Sequence, residues 1–106
     1  MTDFDQDPEV LRAKINQETA KIPWSSLQRF FAKGTAIWVD QGLDLVDVAS
    51  AIADDAAERV DAWMSQGRVA KVSDVQARRW VEQDALVWAV VVKPWVLVQD
   101  SESTEH

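Results

Sequence analysis

The chain has 106 residues, 47% hydrophobic and 27% charged, with three glycines and three prolines. That composition fits one globular domain and excludes collagen-like, linker-like and disordered chains. There is no cysteine, and the one histidine is the terminal His106, which excludes disulfides, thiolate sites and cysteine nucleophiles and argues against imidazole chemistry.

Asp7-Pro8-Glu9 has the form of a helix start: a capping carboxylate, a proline at the first helical position and an acid facing the dipole. Leu11, Ile15 and Ala20 make one apolar stripe, so a helix is expected over 8–20. Ile22-Pro23-Trp24 ends it. Ser25 and Gln28 have capping-box spacing and open a helix with Leu27, Phe30 and Phe31 inward. Gly34 follows as its C-terminal cap. Residues 35–39, Thr-Ala-Ile-Trp-Val, read as a strand.

From Leu43 to Gln66 apolar residues recur every three or four positions (Leu45, Ala49, Ile52, Ala56, Val60, Trp63), the helical period. Asp54-Asp55 interrupts the pattern, giving helices over 44–53 and 55–66, the second started by Asp55. Gly67 ends it. Residues 68–72 form a short strand. Ser73 and Gln76 make another capping box, for a helix to about Gln83 with Ala77, Trp80 and Val81 inward. Residues 86–99 are the most β-prone stretch. A straight strand of that length would span ~46 Å at ~3.3 Å per residue, beyond the roughly 34 Å diameter of such a domain. The strand therefore bends at Lys93-Pro94 or leaves the body. Trp95 to Val98 have no polar face, so residues 95–99 either pack over their own domain or pair with another chain.

These elements predict an α+β fold, mostly helical, in winged-helix-like order, with a small antiparallel sheet of about three strands near 35–39, 68–72 and 86–92. Residues 8–99 form the domain. Residues 1–7 and 100–106 are expected to be disordered acidic or polar tails. Of the six tryptophans, Trp38, Trp63, Trp80 and Trp88 are expected in the core. Trp24 and Trp95, each beside a proline, are expected to be partly exposed.

The net charge of −7 is unevenly placed. The two tails carry six acids and no base, and residues 8–99 carry 11 bases and 12 acids. Residues 67–99 are net positive through Arg68, Lys71, Arg78, Arg79 and Lys93. The expected recognition-type helix, 55–66, offers Asp55, Glu58 and Asp61 against Arg59, which repels phosphate. Nucleic acid is therefore not expected as a partner through this helix, although Val48–Ile52 with Val60–Val69 is helix-turn-helix-like in its spacing. Acids cluster at Asp40, Asp44 and Asp47 and again at Asp54, Asp55 and Glu58. Their positions at helix starts already account for them, and no EF-hand or phosphate-loop spacing is present. No catalytic residue, cofactor or metal is assigned. No apolar run approaches the ~18 residues of a membrane span, and the acidic start is unlike a secretion signal, so a cytoplasmic, bacterial-type protein is expected.

Lys21-Ile22-Pro23-Trp24-Ser25-Ser26-Leu27-Gln28, Leu43-Asp44-Leu45-Val46 with Val48-Ala49, and above all Trp88-Ala89-Val90-Val91-Val92-Lys93-Pro94-Trp95-Val96-Leu97-Val98-Gln99 resemble the bacterial family called domain of unknown function 2288. The resemblance spans most of residues 8–99. It implies one compact cytoplasmic domain and carries no activity or site with it. The expected function is a non-enzymatic protein-interaction domain, through a protein partner or self-association, with no membrane contact. Candidate contact residues are Trp24, Lys93, Pro94, Trp95 and Leu97, with the basic group Arg68, Lys71, Arg78 and Arg79. A winged-helix DNA-binding regulator is the alternative.

Overall fold

A computed structural model describes residues 8–101. The expected Asp7 cap, the Leu11 side chain and the tails 1–7 and 102–106 lie outside the described residues. The elements are α1 (Pro8–Glu18), β1 (Ala20–Pro23), a 3-10 turn (Trp24–Leu27) running into α2 (Gln28–Ala32), β2 (Ala36–Val39), α3 (Leu45–Ala53), α4 (Ala57–Ser65), β3 (Val69–Lys71), α5 (Asp74–Gln83), β4 (Leu86–Val92) and β5 (Trp95–Asp100).

The strands form one sheet in the order β1-β4-β5-β2-β3. β5 runs antiparallel to β4 and parallel to β2, and the outer pairs β1–β4 and β2–β3 are antiparallel. The fold is α+β, but the sheet is mixed and five-stranded, against the three antiparallel strands expected. The additional strands are β1, which the helix stripe concealed, and β5. Residues 86–99 do bend at Lys93-Pro94, and the second half returns through the middle of its own sheet.

That position explains the missing polar face. Helices cover both sides of the sheet, so its central strand is buried on both, and such a strand reads as continuous hydrophobic sequence. Val96 and Val98 join Val87, Ala89 and Ala36 on one side, under Trp24, Leu27 and the α5 residues Ala77 and Trp80. Leu97 joins Val39, Val69 and Val90 on the other, under Ile15 of α1 and Leu45, Val48 and Ala49 of α3. Asp100 and Ser101, expected in the tail, belong to the domain. The Trp80 Nε1–H donates to Asp100 Oδ1 at 2.7 Å, and the Ser101 hydroxyl donates to the Leu86 carbonyl at 2.6 Å.

Two helix starts follow their sequence signals. Asp44 Oδ1 accepts from the Val46 N–H at 2.9 Å, and Ser73 Oγ accepts from the Gln76 N–H at 3.1 Å, each satisfying an otherwise orphaned donor. The start of α4 differs: Asp55 lies in the turn at φ 58, and Ala56 precedes the helix without a side-chain cap. The left-handed position that glycine commonly fills is thus taken by an aspartate, one of the few residues that tolerate it. Ser25 likewise does not cap α2; it sits inside the 3-10 turn.

Candidate functional site

The expected contact residues separate on folding. Trp24 and Leu97 are 1% and 0% exposed, so neither is available to a partner; Trp24 packs under the sheet and Leu97 is on the central strand. Lys93 and Pro94 are exposed at the β4–β5 turn, joined by a cis peptide. Trp95 is half-buried against the α3 side of the core. The basic residues have different settings. Arg68 Nε lies 3.4 Å from Asp40 Oδ2, Lys71 is exposed on β3, and Arg78 and Arg79 are exposed on α5. Val81, expected inward on α5, is 52% exposed.

Asp55 in the turn before α4, and Glu58 and Asp61 on α4, are exposed, and among the described residues none of the three enters a salt bridge. Arg59 lies over the Trp63 ring at 5.2 Å, so the only base of this helix is drawn onto its own surface. Among the described residues no three acidic or imidazole side chains are grouped to hold a metal ion.

Two features have the character of binding surfaces. The first is a groove of about 280 Å³ where α4 fails to close on the sheet, lined by Ile37, Ala51, Ile52, Ala56, Ala57, Val60, Met64, Val69, Ala70 and Trp95, with Asp55 and Lys71 as its charged residues. Its origin is local. Its lining from α3, the turn into α4, α4 and β3 includes four alanines, too short to fill the space between backbones, and α4 contributes no fully buried side chain. A protein interior normally leaves few voids larger than a water molecule. The cluster of small residues was the available sequence signal, masked because alanine also satisfies an apolar helical stripe.

The second is an open corner of the sheet. Alternation places Leu86, Trp88, Val90 and Val92 on one face of β4. Val90 and Val92 lie within the core against α1 and α3, whereas Leu86 and Trp88 are 51% and 36% exposed. Trp88, expected in the core, therefore stands at its rim. The edge strand β1 runs beside them, with Lys21 opposite Trp88 and Pro23 opposite Leu86, and the Lys21 ammonium lies 5.5 Å from the Trp88 ring centroid. No helix among the described residues is long and apolar enough to cross a membrane.

This architecture has a solved counterpart. The NMR solution structure of PA1075 from Pseudomonas aeruginosa is 44% identical, covers 100% of both chains, and superposes with a TM-score of 0.79. No curated protein matches the chain. The family model described as "Protein of unknown function (DUF2288)" matches residues 10–100. The chain therefore belongs to the DUF2288 family.

Proposed function

We propose that this protein is a non-enzymatic interaction domain whose docking surface is the open corner of the sheet. The exposed Leu86–Trp88 pair carries this reading. A tryptophan and a leucine two residues apart on one strand face, beside the edge strand β1, form a compact apolar anchor, and tryptophan is enriched at energetic centres of interfaces. The occupant is a second protein of net positive charge, not a second copy. The chain's charge of −7, six units of it in residues 1–7 and 100–106, repels its own kind and attracts a basic partner over a long range, and at the corner itself exposed Glu18 and Asp84 lie two residues before β1 and β4. The partner would set an apolar side chain on Leu86 and Trp88 while its bases meet these acids.

Photo-crosslinking in the native host tests this. Benzoylphenylalanine at position 88 is expected to give one dominant adduct with a basic protein, lost when Leu86→Lys is added. The same group at position 75, where Val75 is 72% exposed on α5, is expected not to give that adduct. Equal adducts from both positions, no adduct from position 88, or an adduct with this chain itself overturns the reading.

The competing reading is a winged-helix DNA-binding regulator, favoured by the strand–helix–helix–strand order of β2, α3, α4 and β3. Against it stand the exposed carboxylates of α4, which would meet phosphate with like charge. Fluorescence anisotropy with duplex DNA at low salt is expected to show no saturable binding. Binding that falls steeply with salt, and that Arg78→Glu with Arg79→Glu removes, establishes the competing reading instead.

A further inference from the structure

We propose that the groove between α4 and the β2–β3 edge binds a small amphipathic monocarboxylate, with its apolar body between the helix and the sheet and its carboxylate at Lys71. This site is separate from the open corner and stands whether or not that corner docks a protein.

Three properties of the groove select this class. Its volume of about 280 Å³ is roughly twice the ~150 Å³ of a dry apolar cavity known to hold one benzene, which admits a body of about eight to ten heavy atoms. Ile37, Ile52, Val60, Met64, Val69 and Trp95 supply its lining; none offers a charge, so the body is hydrocarbon. Lys71 is the groove's one cation, and among the described residues no carboxylate pairs with it. Lys71 lines the groove from the edge strand β3 and is exposed, so its flexible stem can bring the ammonium to the mouth of the apolar slot, where it would fix the orientation of a ligand with one anionic head.

Asp55 narrows the class further. It shares the lining and disfavours a second negative charge, so a dicarboxylate of the same length binds more weakly than the monocarboxylate. Medium-chain fatty acids and similarly sized aryl-alkanoic acids share the required chemistry: one carboxylate and an uninterrupted apolar body.

The test is a titration of the full-length, 15N-labelled protein with octanoate, followed by NMR amide shifts. Octanol, octylammonium and octanedioate serve as comparisons. Octanoate is expected to bind saturably, with a dissociation constant on the order of 0.1–1 mM for a ligand of about ten heavy atoms, and to shift amides at Ile37, Val60, Met64 and Val69. Lys71→Gln is expected to weaken octanoate about threefold to fivefold, the size of one partly exposed ion pair, and to leave octanol unchanged. Asp55→Asn is expected to improve octanedioate more than octanoate. Ala57→Trp, at an exposed lining position, is expected to plug the groove and abolish binding of all four compounds while amide dispersion stays native. Absence of saturable shifts, shifts centred on Leu86 and Trp88, or equal affinity for octanoate and octylammonium overturns the proposal.

Discussion

A chain ending at Pro94 is expected to be unfolded. Of the strands and helices the cut removes only β5, but β5 is the central strand, so β4 and β2 each lose one partner and the sheet falls into two separate pairs, β1–β4 and β2–β3. A two-stranded pair is marginal in water by itself. The cut also removes Val96, Leu97 and Val98, exposed by 2%, 0% and 0%. At about 1.5–3 kcal/mol for each fully buried aliphatic side chain, they contribute roughly 5–9 kcal/mol gross, comparable with the ~5–15 kcal/mol net stability of a typical domain. The Trp80–Asp100 hydrogen bond goes with them. Far-UV circular dichroism and amide dispersion should show a disordered chain, whereas a chain ending at Ser101 should melt cooperatively. Leu97→Asp, which places a carboxylate between two apolar layers, should behave like the Pro94 truncation. A cooperative melt from the shorter chain would mean that β5 is not the strand on which the sheet depends.

The same strand shows how far the sequence was readable. The β-propensity of residues 86–99 and the break at Lys93-Pro94 are local properties, and both are visible in the residue order. The pairing is not local. β5 lies parallel to β2, with Ala36 opposite Val96, and nothing at Ala36-Ile37-Trp38-Val39 distinguishes a strand with one neighbour from a strand with two. β1 was hidden for a related reason. Ala20-Lys21-Ile22-Pro23 is four residues long with a lysine and a proline, weak strand material that is tolerated because it is an edge and because Trp88 and Val87 lie opposite it. Helices with a side-chain cap were readable to within a residue or so: Ser73 started α5, and Asp44 started α3. α4 was displaced because Asp55 has the composition of a cap and the conformation of a turn. The groove was the least legible feature. The apolar period along α4 is the same whether or not the helix closes on the sheet, and the difference lies in how far alanine, valine and methionine reach.

Trp24 also shows composition misleading about exposure, and its burial leads to a ranked prediction. Its neighbour Pro23 implies an element boundary, and boundaries are often exposed. Here the boundary is a 3-10 turn that rolls the indole beneath the sheet, 4.9 Å from the Trp80 ring centroid and 6.0 Å from that of Phe31. Trp24→Ala should cost about 3–5 kcal/mol, the range for removing a buried aromatic. The two indoles differ in their N–H groups. That of Trp80 donates to Asp100, whereas that of Trp24 is buried with no acceptor among the described protein atoms. Burying an unsatisfied donor costs about 1–3 kcal/mol, so Trp24→Phe removes a penalty along with some packing. Trp80→Phe removes a made hydrogen bond and leaves the Asp100 carboxylate without it. Urea melts should therefore rank the losses Trp24→Ala first, Trp80→Phe second and Trp24→Phe last. Asp100→Ala should cost less in the Trp80→Phe background than in the parent, with a coupling of about 1–2 kcal/mol. Equal losses for the two phenylalanine variants would overturn the reading that the Trp24 N–H is buried unsatisfied while that of Trp80 is paired.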